Sequence, residues 1–286
     1  IILAVAPKGF NSLSFGYMLT NYLPYNVVWS VVQYNKKYKQ QVSKLNNKTD
    51  LFKEHSFKFD SDNKEPLVVV MIIGESMRGS TVSQENMPLM HGRKNLVIFK
   101  HARSSETSTR ESIPYMLTSA KSPNAEQSLN EKSFISIFKN LGFKTSWISN
   151  QGLLGIFEIL YSSIALEADY LITKADLRRK FPNEKHYDEY LQPFSYAKLQ
   201  ESDNKQVMFM HLNRSHWRFD EIVPETFELP LSPECNSTFP SQCSGEKLMN
   251  SYEKTYYYYD RNNSHLPRFR GGGRKTKQTN RNAGDA

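Results

Sequence analysis

Apolar positions in this chain gather into short runs separated by polar loops. The longest run is Leu67 to Ile73, LVVVMII, which stops at Gly74-Glu75-Ser76. Seven apolar, largely β-branched residues with turn signals behind them predict a buried strand. Similar runs predict strands over Asn95 to Lys100 (NLVIFK), Lys144 to Ser149 (KTSWIS) and Gln206 to His211 (QVMFMH). Helices are predicted over Thr109 to Ser119, with Pro114 early enough to be tolerated, and over Phe134 to Leu141, stopped by Gly142. The mixed charges of Lys174 to Tyr190 predict a solvated helical face interrupted at Pro182. Strands alternating with helices predict an α/β/α sandwich with a mainly parallel central sheet. Glu75, Asn150 and His211 then lie along one rim, at the carboxyl ends of strands, where open α/β sheets bind ligands.

Upstream, residues 7–50 are rich in Tyr, Asn and Lys, and YNVVWSVVQYNKKYKQQV has the spacing of an amphipathic helix in an arm. The polar segment FKFDSDNKEP ends at Pro66, a boundary before the first core strand. The expected division is an arm or linker over 1–60, a core domain over 61–260 and a tail over 261–286. No run of 18 or more apolar residues occurs. The chain opens on IILAVA without a Met, so residue 1 reads as an internal position, after either the end of a membrane helix or a buried strand.

Length and charge narrow the function classes. At 286 residues the chain suits one large domain with appendages. Its net charge of +8 is concentrated at the end, where residues 261–286 hold seven Lys/Arg against one acid, Asp285. The remaining 30 basic and 28 acidic residues nearly cancel, which argues against a nucleic-acid footprint. From Ser264 onward the tail has no apolar period and reads as disordered, with a change of composition abrupt enough to suggest a broken or frameshifted gene end. Cys235 and Cys243 lack a second pair to complete a metal site and read as a disulfide closing a small loop, hence an oxidising compartment.

Four clusters could carry chemistry. Glu75 offers carboxylate oxygens to a metal or, more simply, a partner to Arg78. Thr109 ends the hydroxyl-rich segment SSETST at a helix start, where free N–H groups hold either a cap or a phosphate. His211 and His216 follow a strand and suit zinc, phosphate or proton transfer. Asn150 and Gln151 could hydrogen-bond a head group or cap a turn.

In this order, over about Leu67 to Asp260, these residues resemble the phosphoethanolamine transferases of the alkaline phosphatase and sulfatase superfamily. Those are bacterial inner-membrane enzymes, with a catalytic domain facing the periplasm, that modify lipid A or lipooligosaccharide and include the mobile colistin-resistance enzymes. The resemblance implies that Glu75 is a zinc ligand and that Thr109, with Pro114 five residues on, is both ligand and nucleophile. It also implies that His216 binds or protonates the phosphate, and that Asn150 and Gln151 lie near the substrate. The Cys235/Cys243 pair and the helix LMNSYEKTYYYYD match family features.

The implied reaction moves phosphoethanolamine from phosphatidylethanolamine onto Thr109 and then onto the lipid acceptor, with zinc as cofactor. That would weaken the attraction of the envelope for polymyxin-like cationic peptides. Departures accompany the likeness. Arg214 replaces the family's Gly before His216, Gly155 stands near a family Lys, Ser105 and Tyr115 replace cysteines, and no Asp-His pair for the remaining zinc ligands occurs. The expectation is therefore a domain incomplete at its C-terminus, with weak zinc binding and impaired turnover. The competing readings are a sulfatase or phosphodiesterase of the same superfamily and a non-catalytic membrane-surface remnant.

Overall fold

The computed structural model describes residues 23–45, 47–50, 66–153, 158–201, 205–213, 215, 219, 222–229, 231–237 and 239–263. In chain order the elements are α1 (Tyr25–Leu45), β1 (Val68–Ile73), α2 (Pro88–His91), α3 (Thr109–Leu117), α4 (Phe134–Asn140), β2 (Lys144–Ser149), α5 (Ile159–Ala165), β3 (Tyr170–Ile172), α6 (Lys174–Lys180), α7 (Gln192–Gln200), β4 (Gln206–His211) and α8 (Gly245–Asn263). The four strands form one parallel sheet in the order β1-β4-β2-β3. The register aligns Ile73 and Ser149 with His211, so the carboxyl ends of β1, β4 and β2 finish level.

β4 is buried at every position, as a central strand covered on both faces should be. Val207 and Phe209 point into a core with Ile113, Leu117, Ile135, Trp147 and Ile164 from α3, α4, β2 and α5. Met208 and Met210 point the other way, to Met87, Leu177, Tyr256 and Tyr259 near or on α2, α6 and α8. Helices thus cover both faces, and the architecture is the three-layer sandwich of the alkaline phosphatase and sulfatase type.

Local chemistry sets several boundaries. α4 starts at the Ser133 cap, whose hydroxyl accepts from the Ile135 amide. It ends in a Schellman motif: Gly142, at φ +82°, donates to the Lys139 carbonyl and Phe143 donates to the Phe138 carbonyl. The Phe138 and Phe143 rings close that turn at 5.3 Å. α6 begins with a capping box between Thr173 and Asp176.

Two expectations are corrected. Asn95 to Lys100 is not a strand: no described strand pairs with it, and Val97 and Phe99 are 72% and 79% exposed. An apolar run becomes a strand only where a neighbour takes its N–H and C=O groups. The stretch Lys174 to Tyr190 is helical to Lys180, breaks around Pro182 as expected and turns again as a 3-10 helix over Asp188–Leu191, but it is not wholly solvated, because Leu177 and Asp188 are buried. At the chain end, α8 continues to Asn263, past the expected start of the tail, and residues 264–286 lie outside the described residues.

The arm is tied to the body. Thr49 forms a parallel bridge with Glu131, and Lys48 makes a 2.7 Å ion pair with Glu167. Among the described residues no helix is long and apolar enough to cross a membrane.

Candidate active site

β1 delivers Glu75 to the rim, where its carboxylate is buried. Thr109, the first residue of α3, donates its hydroxyl to Glu75 Oε2 at 2.5 Å, and the Ser76 hydroxyl donates to Oε1 at 2.9 Å. Three of the surrounding hydroxyls are committed elsewhere. Ser104 and Ser112 donate to the Glu106 carbonyl at 2.6 and 3.0 Å, and the Ser108 hydroxyl donates to the Glu111 carboxylate. Thr109 therefore stands apart as the segment's hydroxyl aimed at the rim carboxylate, with the amides of its own first helical turn behind it.

Asn150 and Gln151 brace the exits of β2 and β4. Asn150, fully buried, donates its amide to the His186 carbonyl at 2.8 Å and to Asp188 Oδ1 at 2.9 Å. Asp188 also accepts from the Asn213 amide, which explains its burial. Gln151 donates to the Leu212 carbonyl at 3.2 Å. His216 lies outside the described residues; its predecessor Ser215 is buried. Cys235 and Cys243 are joined in a disulfide just before α8.

His211, aligned with Ile73, is fully buried between the edges of Trp147 and Tyr161, and neither ring nitrogen has a hydrogen-bond partner among the described residues. Burial lowers its pKa from 6.5 to about 4. Burial likewise raises the Tyr161 phenol well above its usual range, and the nearby Glu158 and Glu75 charges add to this. The consequence for stability has a definite sign. Above pH 6.5 His211 is neutral whether folded or unfolded and contributes nothing. Between 6.5 and 4 the unfolded chain takes up a proton that the folded chain refuses, so stability falls with pH, by about 3 kcal/mol at most. His211→Leu is expected to flatten this acid limb in urea unfolding between pH 8 and 4.5; an unchanged limb would assign it to other groups.

Ser76 lies in the Gly74-to-Arg78 cluster, but the sequence assigns it no role. Its hydroxyl reaches Glu75 from a left-handed backbone, at φ 51°, which serine composition alone does not signal.

Comparison with known proteins places the chain's family and fold. The sulfatase family profile matches residues 68–264. The chain belongs to the sulfatase family. Curated relatives of this sulfatase-family chain include phosphoethanolamine transferase EptC of Escherichia coli K12, 27% identical over 214 residues, covering 69% of this chain and 36% of EptC. Another is EptA of Helicobacter pylori, 29% identical, covering 70% of this chain and 38% of EptA. These relatives are enzymes, and the chain spans little more than a third of their length. The fold matches that of the integral membrane lipooligosaccharide phosphoethanolamine transferase A of Neisseria meningitidis, with TM-score 0.63 at 19% identity over 87% of this chain and 48% of that one. It also matches the periplasmic domain of E. coli EptC in complex with zinc, with TM-score 0.58 at 21% identity over 72% and 60%.

The family setting raises the question of a metal. A buried carboxylate and a hydroxyl 2.5 Å apart are suitable oxygen donors. Among the described residues no group of three His, Cys, Asp or Glu side chains gathers that could hold an ion. Glu75 and Thr109 offer two oxygen donors, where zinc takes three or four ligands from a protein.

Proposed function

We propose that this chain is catalytic material of an enzyme that transfers phosphoethanolamine from phosphatidylethanolamine to lipid A or a related envelope glycolipid. The reaction would proceed through a phosphothreonine at Thr109, on the periplasmic side of a bacterial inner membrane. The observation that carries this reading is the 2.5 Å bond from Thr109 to Glu75 at the level ends of three parallel strands. Its relatives' identity as phosphoethanolamine transferases supports the substrate class.

In the first half-reaction Thr109 Oγ1 attacks the phosphorus and passes its proton to Glu75. The bond to the diacylglycerol oxygen breaks, and that oxygen takes the proton from Glu75. In the second half, an acceptor hydroxyl passes its proton to Glu75 as its oxygen attacks the phosphothreonine; the bond from phosphorus to Thr109 Oγ1 breaks, and Oγ1 takes that proton back. His216 would bind or protonate the phosphate oxygens. Gln151 would present its amide oxygen to the ethanolamine ammonium, with the buried Asn150 behind it holding the exit of β2 through His186 and Asp188. Zinc held by Glu75 and Thr109 would supply positive charge that acidifies the Thr109 hydroxyl.

The test is transfer of labelled head group from phosphatidylethanolamine to glycolipid in membranes carrying the complete gene product; transfer to neither acceptor class would remove the reading. For the purified 286-residue chain, two ligands predict that dialysis leaves well under one zinc per chain and no turnover. Stoichiometric zinc together with turnover would show a complete site.

A second reading, a membrane-surface module, draws on α1, where Val27, Val28, Val31 and Val32 are exposed along one side. Thr109→Ala separates the two, since it removes transfer and leaves vesicle binding unchanged.

A further inference from the structure

Among the described residues, two non-glycine residues have positive φ: Ser76 at 51° and Ser215 at 57°. A side chain makes that conformation costly, and such outliers persist where the surroundings over-determine them. Both follow core strands at the rim. Ser76 comes directly after Glu75 beyond β1, and Ser215 directly precedes His216 in the sequence beyond β4.

One helix face touches both. Tyr252, Thr255 and Tyr256 of α8, spaced i, i+3 and i+4, are neighbours on its surface. The Tyr252 hydroxyl donates to the Ser76 carbonyl at 2.7 Å. The Arg78 amide donates to the Tyr252 hydroxyl at 3.1 Å and the Tyr256 hydroxyl at 2.6 Å, and the two hydroxyls lie 2.6 Å apart. A phenol has one hydrogen, so with Tyr252 committed to Ser76, Tyr256 donates to Tyr252. Burial, then the bond it donates to Tyr252, raises the Tyr256 pKa, so that donor stays protonated. On the same face the Ser215 and Thr255 hydroxyls meet at 2.7 Å, with Thr255 donating to the Tyr252 carbonyl at 2.6 Å. The hydrogen between Ser215 and Thr255 therefore comes from Ser215.

α8 is itself anchored. Asp260 accepts from the Leu89 and Met90 amides at 2.6 and 2.7 Å, and Ser251 accepts from the Cys235 amide at 2.8 Å beside the disulfide.

We propose that Tyr252, Thr255 and Tyr256 are positioning residues, a platform that holds the left-handed turns after β1 and β4 and thereby fixes Glu75 against Thr109. The proposal rests on the reading of Glu75 and Thr109 as the reacting centre. The Tyr252/Tyr256 pair keeps its ring packing, with centroids 5.1 Å apart, when both residues become Phe.

The test is NMR on the labelled full chain carrying Tyr252→Phe with Tyr256→Phe. The Arg78 amide should exchange about tenfold faster, the loss expected for a hydrogen bond. The Ser76 Cα and Cβ shifts should leave their left-handed values, while β4 amides stay protected. The Glu75 and Thr109 signals should shift with those of Ser76. Tyr256→Phe alone should move the same signals in the same direction if the double variant does not fold. Unchanged Arg78 exchange and Ser76 shifts would overturn the proposal. Those signals do not depend on which residue is the nucleophile, so a failed Thr109 reaction would leave them standing.

Discussion

Replacing Thr109 with alanine is expected to lower head-group transfer by the complete gene product at least roughly 10³-fold, the scale on which loss of a covalent nucleophile is felt. Four neighbouring hydroxyls are held in other bonds. Ser104 and Ser112 are held on the Glu106 carbonyl, Ser108 on Glu111, and Ser76 lies on the other oxygen of Glu75. Thr109→Ser keeps the oxygen and should retain measurable transfer. The fold should hardly notice either change, because Thr109 is only half-buried, at the first position of its helix. A loss of transfer with unchanged unfolding midpoint would therefore be chemical in origin. Wild-type transfer by Thr109→Ala would move the nucleophile elsewhere.

The largest stability effect is expected at Glu167, far from that chemistry. Its Oε1 pairs with Lys48 at 2.7 Å, and its Oε2 accepts from the Ser133 amide, the Ser133 hydroxyl and the Ser136 hydroxyl, each at 2.8 Å. The Lys48 and Glu167 side chains are 5% and 10% exposed. Glu167→Ala strands an ammonium and three donors away from water, which should cost about 3–5 kcal/mol in urea unfolding. Lys48→Met removes the charge but keeps apolar volume and leaves Glu167 its three donors, so it should cost clearly less. Because Thr49 also bonds to the Asn130 carbonyl at 2.7 Å and receives the Lys132 amide at 2.8 Å, the loss should loosen residues 47–50 from the body. Equal losses for the two variants would mean that packing, not the buried charge, holds the arm.

The parts of the fold legible from sequence were those whose burial leaves a pattern. β4 read as an apolar run because a central parallel strand is covered on both faces; β1 read as one although, at the sheet edge, Leu67 and Met71 stay exposed; and α4 declared itself through its stop at Gly142. α5 did not, since Ile159 to Ala165 is buried all round and has no amphipathic period. β3, at three residues, is too short to carry one. NLVIFK misled because its composition is that of a strand while pairing depends on a neighbour. Of the site, Glu75 and Thr109 were legible from position, at a strand end and a helix start. The bonds from Asn150 to His186 and Asp188, and from Tyr252 to Ser76, join residues 36 to 176 positions apart and leave no local signal.

The reacting pair can be tested by acid-quenching membranes that carry the complete gene product, shortly after they meet phosphatidylethanolamine with an isotopically labelled head group, and sequencing the labelled peptide by mass spectrometry. The expected result is phosphoethanolamine on Thr109, absent in Thr109→Ala and strongly reduced in Glu75→Ala. Label on another residue, or continued transfer by Thr109→Ala with no adduct at any stage, would contradict it.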